Sequence, residues 1–150
     1  MSLNKALFTS NKDDWETPQS YFDEINQEFN FTLDAASSQG GGNAKLPNFW
    51  SVDDDSLSQK WEGRVFCNPP YGRELRRWVE KAYLESQKDY CELVVLLIPA
   101  RTDTSYWHDF IFNKADDIRF LRGRLKFEVS GKSRDAAPFP SALVVFRNKR

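Results

Sequence analysis

The sequence predicts an open α/β sheet, mostly parallel, with helices on both faces and an antiparallel hairpin at its C-terminal end. Strand-like and helix-like segments alternate along the chain, which is typical of such sheets. Residues 93–98 are six consecutive apolar residues, as in a strand that is covered on both sides in a parallel sheet. Pro69 and Pro70 follow another apolar strand and end its pairing, because proline cannot donate a ladder hydrogen bond.

Local patterns predict the individual elements in chain order. Thr17 as N-cap and Pro18 in the first turn begin a helix that extends to about Glu28, with apolar residues at helical spacing. The other predicted helices are residues 73–88 and 105–113. The predicted strands are residues 31–34, 49–52, 64–67, 93–98, 117–121, 125–129 and 141–147, of which the last two form the hairpin.

Length and composition favour one domain. The chain has 150 residues, of which 40% are hydrophobic, enough for a single core. We therefore expect one domain over residues 1–150, with residues 1–13 as a loose leader. No apolar run approaches the roughly 18 residues of a membrane span, and the start lacks a signal pattern, so we expect a cytoplasmic protein without membrane contact. Two cysteines and one histidine, without metal-ligand spacing, predict no metal site.

Charge is distributed unevenly. Residues 1–75 carry 6 Lys and Arg against 12 Asp and Glu, net −6, whereas residues 76–150 carry 15 against 10, net +5. This asymmetry is compatible with a phosphate-facing surface beside an acidic pocket, and equally with an unevenly charged solvated surface.

The tetrapeptide Asn68-Pro69-Pro70-Tyr71 is the most informative motif. It follows a predicted buried strand, so it lies at the carboxyl edge of the sheet, where ligands bind in α/β folds. The Asn68 amide oxygen and the Pro69 carbonyl are two acceptors beside an aromatic ring. This arrangement suits an amino group conjugated to a planar ring. The two acceptors take hydrogen bonds from the two N–H groups, and the ring stacks on Tyr71. The alternative is a turn that only ends a strand.

This motif resembles that of S-adenosylmethionine-dependent amino-methyltransferases, and further segments resemble the phage-type DNA N6-adenine methyltransferases, the Dam family of phages and prophages. The similarity extends over approximately residues 13–147. The segments that carry it are Trp15-Glu16-Thr17-Pro18-Gln19, Leu33-Asp34-Ala35-Ala36, Asp55-Ser56-Leu57, Pro99-Ala100-Arg101-Thr102-Asp103-Thr104, Arg122-Gly123-Arg124-Leu125-Lys126-Phe127 and Ala137-Pro138-Phe139-Pro140-Ser141-Ala142.

The resemblance implies a Rossmann-like class I methyltransferase sheet and a set of site residues. Methyl transfer is assigned to Asn68, Pro69, Pro70 and Tyr71. Contacts to S-adenosylmethionine are assigned to Thr17, Pro18, Asp34, Ala35, Ala36, Asp55 and Asn68, with Asp55 rather than Asp53 or Asp54 accepting from the donor's adenine amino group. The late Gly40-Gly41-Gly42 run departs from the Gly-x-Gly pattern of methyltransferases.

The implied substrate is adenine in DNA, rotated out of the stack to reach the site. Substrate contacts are assigned to Arg101, Thr102, Asp103, Phe127, Arg122, Arg124 and Lys126. Phe127 is a second aromatic wall for the base or a core residue, and Thr102 or Asp103 alternatively caps a helix. Because about 150 residues leave little chain for a target-recognition domain, we expect a short or relaxed DNA recognition sequence, or a homodimer whose second subunit adds contacts to DNA.

Two other functions remain open at this point. The Asn-Pro-Pro-Tyr motif is equally compatible with the same donor and fold acting on RNA or on a protein glutamine amide. The irregular first glycine loop and the short chain are compatible with a catalytically silent nucleic-acid-binding module.

Overall fold

A six-stranded sheet forms the centre of the molecule. The computed structural model describes residues 15–129 and 132–149. The strands are β1 (Leu33–Ser37), β2 (Phe49–Ser51), β3 (Gly63–Cys67), β4 (Cys91–Pro99), β5 (Asp117–Phe120), β6 (Glu128–Val129), β7 (Lys132–Ser133) and β8 (Ser141–Arg147). The helices are α1 (Gln19–Phe29), α2 (Leu75–Ser86) and a π-helical turn at Trp107–Ile111. The predicted leader, residues 1–13, lies outside the described residues.

The order of the strands creates a switch point. The sheet runs β2-β1-β3-β4-β8-β5, and β1 to β4 are mutually parallel. The chain passes from β1 outward to β2 and then returns across β1 to β3, so the loops after β1 and β3 diverge. A crevice opens outside the carboxyl ends of strands at such a point, and it is where α/β sheets bind ligands.

Helices cover both faces of the sheet, as predicted. Neighbouring residues Val65 and Phe66 point to opposite faces of β3. The ring of Phe22 on α1 packs 5.1 Å from the ring of Phe66. On the other face, the register through β4 aligns Phe146 with Val65, and the ring of Tyr83 on α2 lies 5.7 Å from Phe146.

The C-terminal antiparallel addition is present, but its pairing differs from the prediction. Strand β8 lies between β4 and β5 and runs antiparallel to both. Residues 125–129 therefore do not pair with residues 141–147, because β5 occupies that edge of β8. Only Glu128–Val129 is a strand, β6, and it pairs with β7 in a separate two-stranded sheet.

The same topology brings the basic segment to the ligand-binding edge. Because β8 is antiparallel to both β4 and β5, these two strands run in the same direction, and β5 ends at the carboxyl edge. The segment 121–140 leaves and re-enters the sheet there, with Leu121 N donating to Ser141 O and Ala100 N donating to Pro140 O. Within the two described ranges, no helix is long and apolar enough to cross a membrane.

Candidate active site

A cavity of about 220 Å³ lies at the switch point, between the ends of β1 and β3. Its walls come from the segment before α1, the β1 end, the turns after β2 and the β3 end. The lining residues are Trp15, Glu16, Thr17, Asp34, Ala35, Ala36, Ser37, Ser38, Asn43, Lys45, Trp50, Ser51, Val52, Asp55, Ser56, Leu57, Phe66, Asn68, Pro69, Pro70 and Trp78. The predicted residues Thr17, Asp34, Ala35, Ala36, Asp55 and Asn68 are among them.

Asp34 organises the loop that follows β1. Its side chain is buried, and its two carboxylate oxygens accept from the backbone N–H of Ala36 (3.1 Å) and of Lys45 (2.9 Å). Burial raises the pKa of Asp34, and the two backbone hydrogen bonds and the Lys45 charge act in the opposite direction. The carboxylate thus fixes the wall of the cavity by holding both ends of this loop.

The glycine run has a local structural cause. Residues Gly40, Gly41 and Gly42 do not line the cavity. Gly41 has a φ of +75°, and a Cβ there would collide with the ring of Phe49. The run therefore allows a tight turn against β2 and does not approach the cavity.

The three acidic residues after β2 have separate roles. The Asp54 carboxylate accepts from the Ser51 N–H (2.8 Å) and hydroxyl (2.9 Å) and closes a capping box. Asp53 is exposed and does not line the cavity. Asp55 lines it from a left-handed backbone conformation, with a φ of 50°. Of the three, Asp55 is the one in a position to meet a ligand.

Asn68 presents one acceptor at the cavity. Its Nδ2 donates to the carbonyl oxygen of Trp15 and to the hydroxyl of Thr17 (3.0 Å). Its Oδ1 is buried and has no hydrogen-bond partner among residues 15–129 and 132–149. An unsatisfied buried acceptor costs free energy unless a ligand supplies a donor. Thr17 is therefore not the side-chain cap predicted for α1; Pro18 occupies the N-cap position and does not line the cavity.

The rings of Tyr71 and Phe127 are buried and do not line this cavity. Tyr71 is only 8% exposed, and its hydroxyl donates to Leu97 O at 2.8 Å. Phe127 is fully buried, and its ring meets that of Tyr71 edge to face at 6.1 Å. Phe139 fills the remaining space beside both rings, so neither ring lines the cavity. The alternative of core packing holds for Phe127.

The remaining predicted residues lie at the same edge of the sheet but outside the cavity. Arg101, Thr102 and Asp103 follow β4 and are exposed, and the Arg101 guanidinium lies 5.7 Å from the ring centre of Phe139. The N–H (3.1 Å) and the hydroxyl (2.7 Å) of Thr104 donate hydrogen bonds to the Arg101 carbonyl and close this turn. Thr104 belongs to the segment that carries the resemblance but was not assigned a substrate contact.

The basic residues divide into two groups. The side chains of Arg122, Arg124 and Lys126 are exposed beyond the end of β5. Arg119 instead forms two 2.7 Å hydrogen bonds with the Glu28 carboxylate on α1. The segment with an accessible positive surface thus begins after β5, at the ligand-binding edge.

Three tryptophans of the cavity were missed by the sequence reasoning. Trp15, Trp50 and Trp78 all line it. The available signal was the aromatic content of 15%, together with the position of Trp15 immediately before the Glu16-Thr17-Pro18 segment. They add apolar surface to a cavity that is also lined by the carboxylates of Asp34 and Asp55.

The strand order and the cavity at the switch point define a class I methyltransferase-like α/β protein. Two solved structures share this fold: the 23S rRNA methyltransferase ErmE has a TM-score of 0.55 with 11% identity over 91% of this chain and 70% of its own. Thermoplasma acidophilum 1320 has a TM-score of 0.50 with 13% identity over 87% of this chain and 88% of its own. At these identities the likeness concerns the fold alone.

The model of the DNA N-6-adenine-methyltransferase (Dam) family matches residues 4–150, so the chain belongs to this family. The DNA N-6-adenine-methyltransferase of Haemophilus phage HP1 is 31% identical over 144 residues, covering 93% of this chain and 82% of that protein.

Proposed function

We propose that this protein transfers a methyl group from S-adenosylmethionine to the N6 amino group of adenine in DNA, as a single methyltransferase domain in the cytoplasm where DNA is found. The observation that carries this proposal is the unpartnered Oδ1 of Asn68 at the cavity on the switch point. Membership of the Dam family supports the choice of adenine in DNA as the acceptor.

The cavity has the chemistry that the methyl donor requires. Asp55 offers a carboxylate to the adenine amino group of the donor, and Trp50 offers apolar surface to a planar ring. The small side chains of Ala35 and Ala36 allow close approach of the backbone at the end of β1. Thr17 lines the cavity from the segment that precedes α1. When bound, S-adenosylmethionine supplies an electrophilic methyl group on a sulfonium sulfur.

The adenine amino group needs orientation more than it needs a strong base. Its nitrogen lone pair is delocalised into the ring, and attack on the methyl group places positive charge on the nitrogen. Asn68 Oδ1 and the Pro69 carbonyl accept hydrogen bonds from the two N–H groups of the adenine amino group. These hydrogen bonds favour a pyramidal nitrogen and stabilise the developing charge. As the nitrogen–methyl bond forms, the bond between the methyl carbon and the sulfonium sulfur would break, with its electron pair left on a neutral thioether. The methylated nitrogen would then lose its extra proton to water.

Tyr71 has a bracing role in this proposal. Tyr71 directly follows the two prolines, and its hydroxyl donates a hydrogen bond to Leu97 O on β4. This bond holds the Asn68-Pro69-Pro70 corner against the sheet. A rigid corner keeps both acceptors in place before the substrate arrives, which is the condition for electrostatic stabilisation without reorganisation.

The exposed basic residues at the same edge supply affinity for DNA. In this proposal the exposed side chains of Arg101, Arg122, Arg124 and Lys126 contact phosphates, which gives sequence-independent binding. The target adenine leaves the stack, at a cost of about a few kcal/mol, to reach Asn68. The recognised site in this proposal is short or relaxed, or a homodimer provides further contacts.

The acceptor is tested by a side-by-side comparison of three candidate substrates. Purified protein is incubated with radiolabelled S-adenosylmethionine and, in parallel, unmethylated DNA, RNA or a glutamine-bearing protein. We expect label in DNA, and after digestion in N6-methyladenine. If label appears only in RNA or only in protein, that molecule is the acceptor instead of DNA. Binding of the donor without transfer to any of the three would indicate a catalytically silent module.

A further inference from the structure

We propose that residues 15–17, here called the strap, position the side chain of Asn68 and make this site dependent on asparagine rather than aspartate. This inference rests on the proposed function and deepens it, because Thr17 becomes a positioning residue for methyl transfer. The strap is the last segment before α1, and Thr17 is only 2% exposed.

The strap determines which way the Asn68 amide faces. The carbonyl of Trp15 can only accept a hydrogen bond, so the group that meets it must be the amide nitrogen. The Thr17 hydroxyl accepts from the same nitrogen at 3.0 Å. Both amide hydrogens are engaged by the strap, so Oδ1 is directed away from it, and within the part of the chain that the structure describes this acceptor has no partner.

The strap is itself fixed by the segment that carries the basic side chains. Glu16 and Glu128 exchange two backbone hydrogen bonds, of 3.2 and 2.8 Å. The Trp15 ring meets Phe127 edge to face at 5.6 Å, and the Arg134 guanidinium lies 4.1 Å above it. The strap thus connects the small β6–β7 sheet with Asn68, through contacts on both its backbone and its aromatic ring.

An aspartate at position 68 would conflict with this arrangement. A carboxylate oxygen would face the Trp15 carbonyl, and neither atom has a proton to donate. A protonated carboxyl avoids the conflict, because its O–H donates to the strap while its C=O accepts from the adenine amino group. Transfer by Asn68→Asp therefore requires the protonated carboxyl, and its activity relative to the unmodified protein rises as the pH falls.

Other titratable groups around position 68 are shared by the two proteins. Glu16 belongs to the strap, Asp34 and Lys45 to the β1 side, and Asp55 to the turn after β2. Negative charge on Asp34 or Asp55 also favours the protonated form of a carboxyl at position 68. Because these groups are present in both proteins, the ratio of the two activities isolates the introduced carboxyl.

The first test uses a matched pair at position 17. Thr17→Val keeps the shape and removes the hydroxyl, whereas Thr17→Ser keeps the hydroxyl. We expect kcat for DNA methylation to fall about tenfold in T17V, with KM for DNA changed by less than about threefold, and to recover in T17S. Thr32→Val, which removes a hydroxyl bonded to Arg64 at the opposite end of β1, is the control for a general loss of stability.

The second test compares N68D with the unmodified protein from about pH 8 to about pH 6. We expect the activity ratio to rise as the pH is lowered, and heats of S-adenosylmethionine binding identify folded variants. A ratio that stays flat at any level, or an unchanged kcat in T17V, overturns the role of the strap. If the unmodified protein transfers no methyl group to DNA, the proposed function fails instead, so the two failures are distinguishable.

Discussion

The hydroxyl of Ser56 donates a 2.6 Å hydrogen bond to the carbonyl oxygen of Ala35. This bond ties the turn that carries Asp55 to the end of β1, and both groups are buried. Two walls of the cavity, separated by about twenty residues in sequence, are thus held in a fixed relation. The proposed donor site depends on this link between a loop and a strand.

Replacing Ser56 with alanine is expected to weaken binding of S-adenosylmethionine. The Ala35 carbonyl would lose its partner in a buried position, at a cost of about 1 to 3 kcal/mol in the free energy of unfolding. The Asp55 turn would also lose its anchor, so we expect a severalfold increase in the Kd of the donor by isothermal titration. Ser133→Ala, on the exposed strand β7, is the control, and an unchanged Kd in S56A would show that the turn needs no such anchor.

Replacing Asp34 with asparagine is expected to destabilise the loop after β1. An asparagine keeps one acceptor, but its NH2 group would oppose one of the two backbone N–H donors, at a cost of about 1 to 3 kcal/mol in the free energy of unfolding. Denaturant unfolding measures the loss. Asp53→Asn, at an exposed site in the same half of the chain, is expected to change stability by less than about 0.5 kcal/mol.

The same variant has a predicted pH dependence. Burial raises the pKa of Asp34 above its ordinary value of 3.8, so the folded protein binds this proton more tightly than the unfolded chain does. This contribution to stability is present below the unfolded pKa and is lost as the pH rises through the folded pKa. Relative to D34N, the unmodified protein should therefore lose stability as the pH rises above about 4. A difference in unfolding free energy that grows with pH would reverse the assigned direction of the pKa shift.

The basic residues after β5 are expected to control the salt dependence of DNA binding. Each lost phosphate contact reduces the slope of log K against log salt by about one and weakens binding to all sequences similarly. We expect this for alanine substitutions of Arg122 and Lys126, measured by fluorescence anisotropy over a salt series. Lys88→Ala, just before β4 at the opposite edge, should leave the slope unchanged; an equal effect of K88A would place the DNA elsewhere.

The sequence predicted the elements whose patterns are local and strong. The apolar run 93–98 became part of β4, and the helical spacing after Pro18 became α1. In these two cases neighbouring residues determine the outcome. Asp55, which the family resemblance singled out among three adjacent aspartates, lines the cavity, while Asp54 is used in a capping box. Contact of Asp55 with the donor stays a prediction.

The errors concern contacts between residues distant in sequence. Nothing local indicates that β5 pairs with β8, or that Phe127 is buried against Tyr71 and Phe139. The hydrogen bond between Asn68 and Thr17 joins residues 51 positions apart, so a hydroxyl that resembled a helix cap was used elsewhere. Tertiary packing decided these roles.

The most direct test of the account measures methyl transfer and donor binding in Asn68→Ala side by side. Because Asn68 Oδ1 is proposed to hold the amino group that is methylated, we expect transfer to DNA to fall by at least about a hundredfold. The Kd of S-adenosylmethionine should change by less than about threefold, since the contacts proposed for the donor at Asp55, Trp50 and the end of β1 do not involve Asn68. Near-normal turnover in N68A would contradict the assignment of the acceptor site to this asparagine.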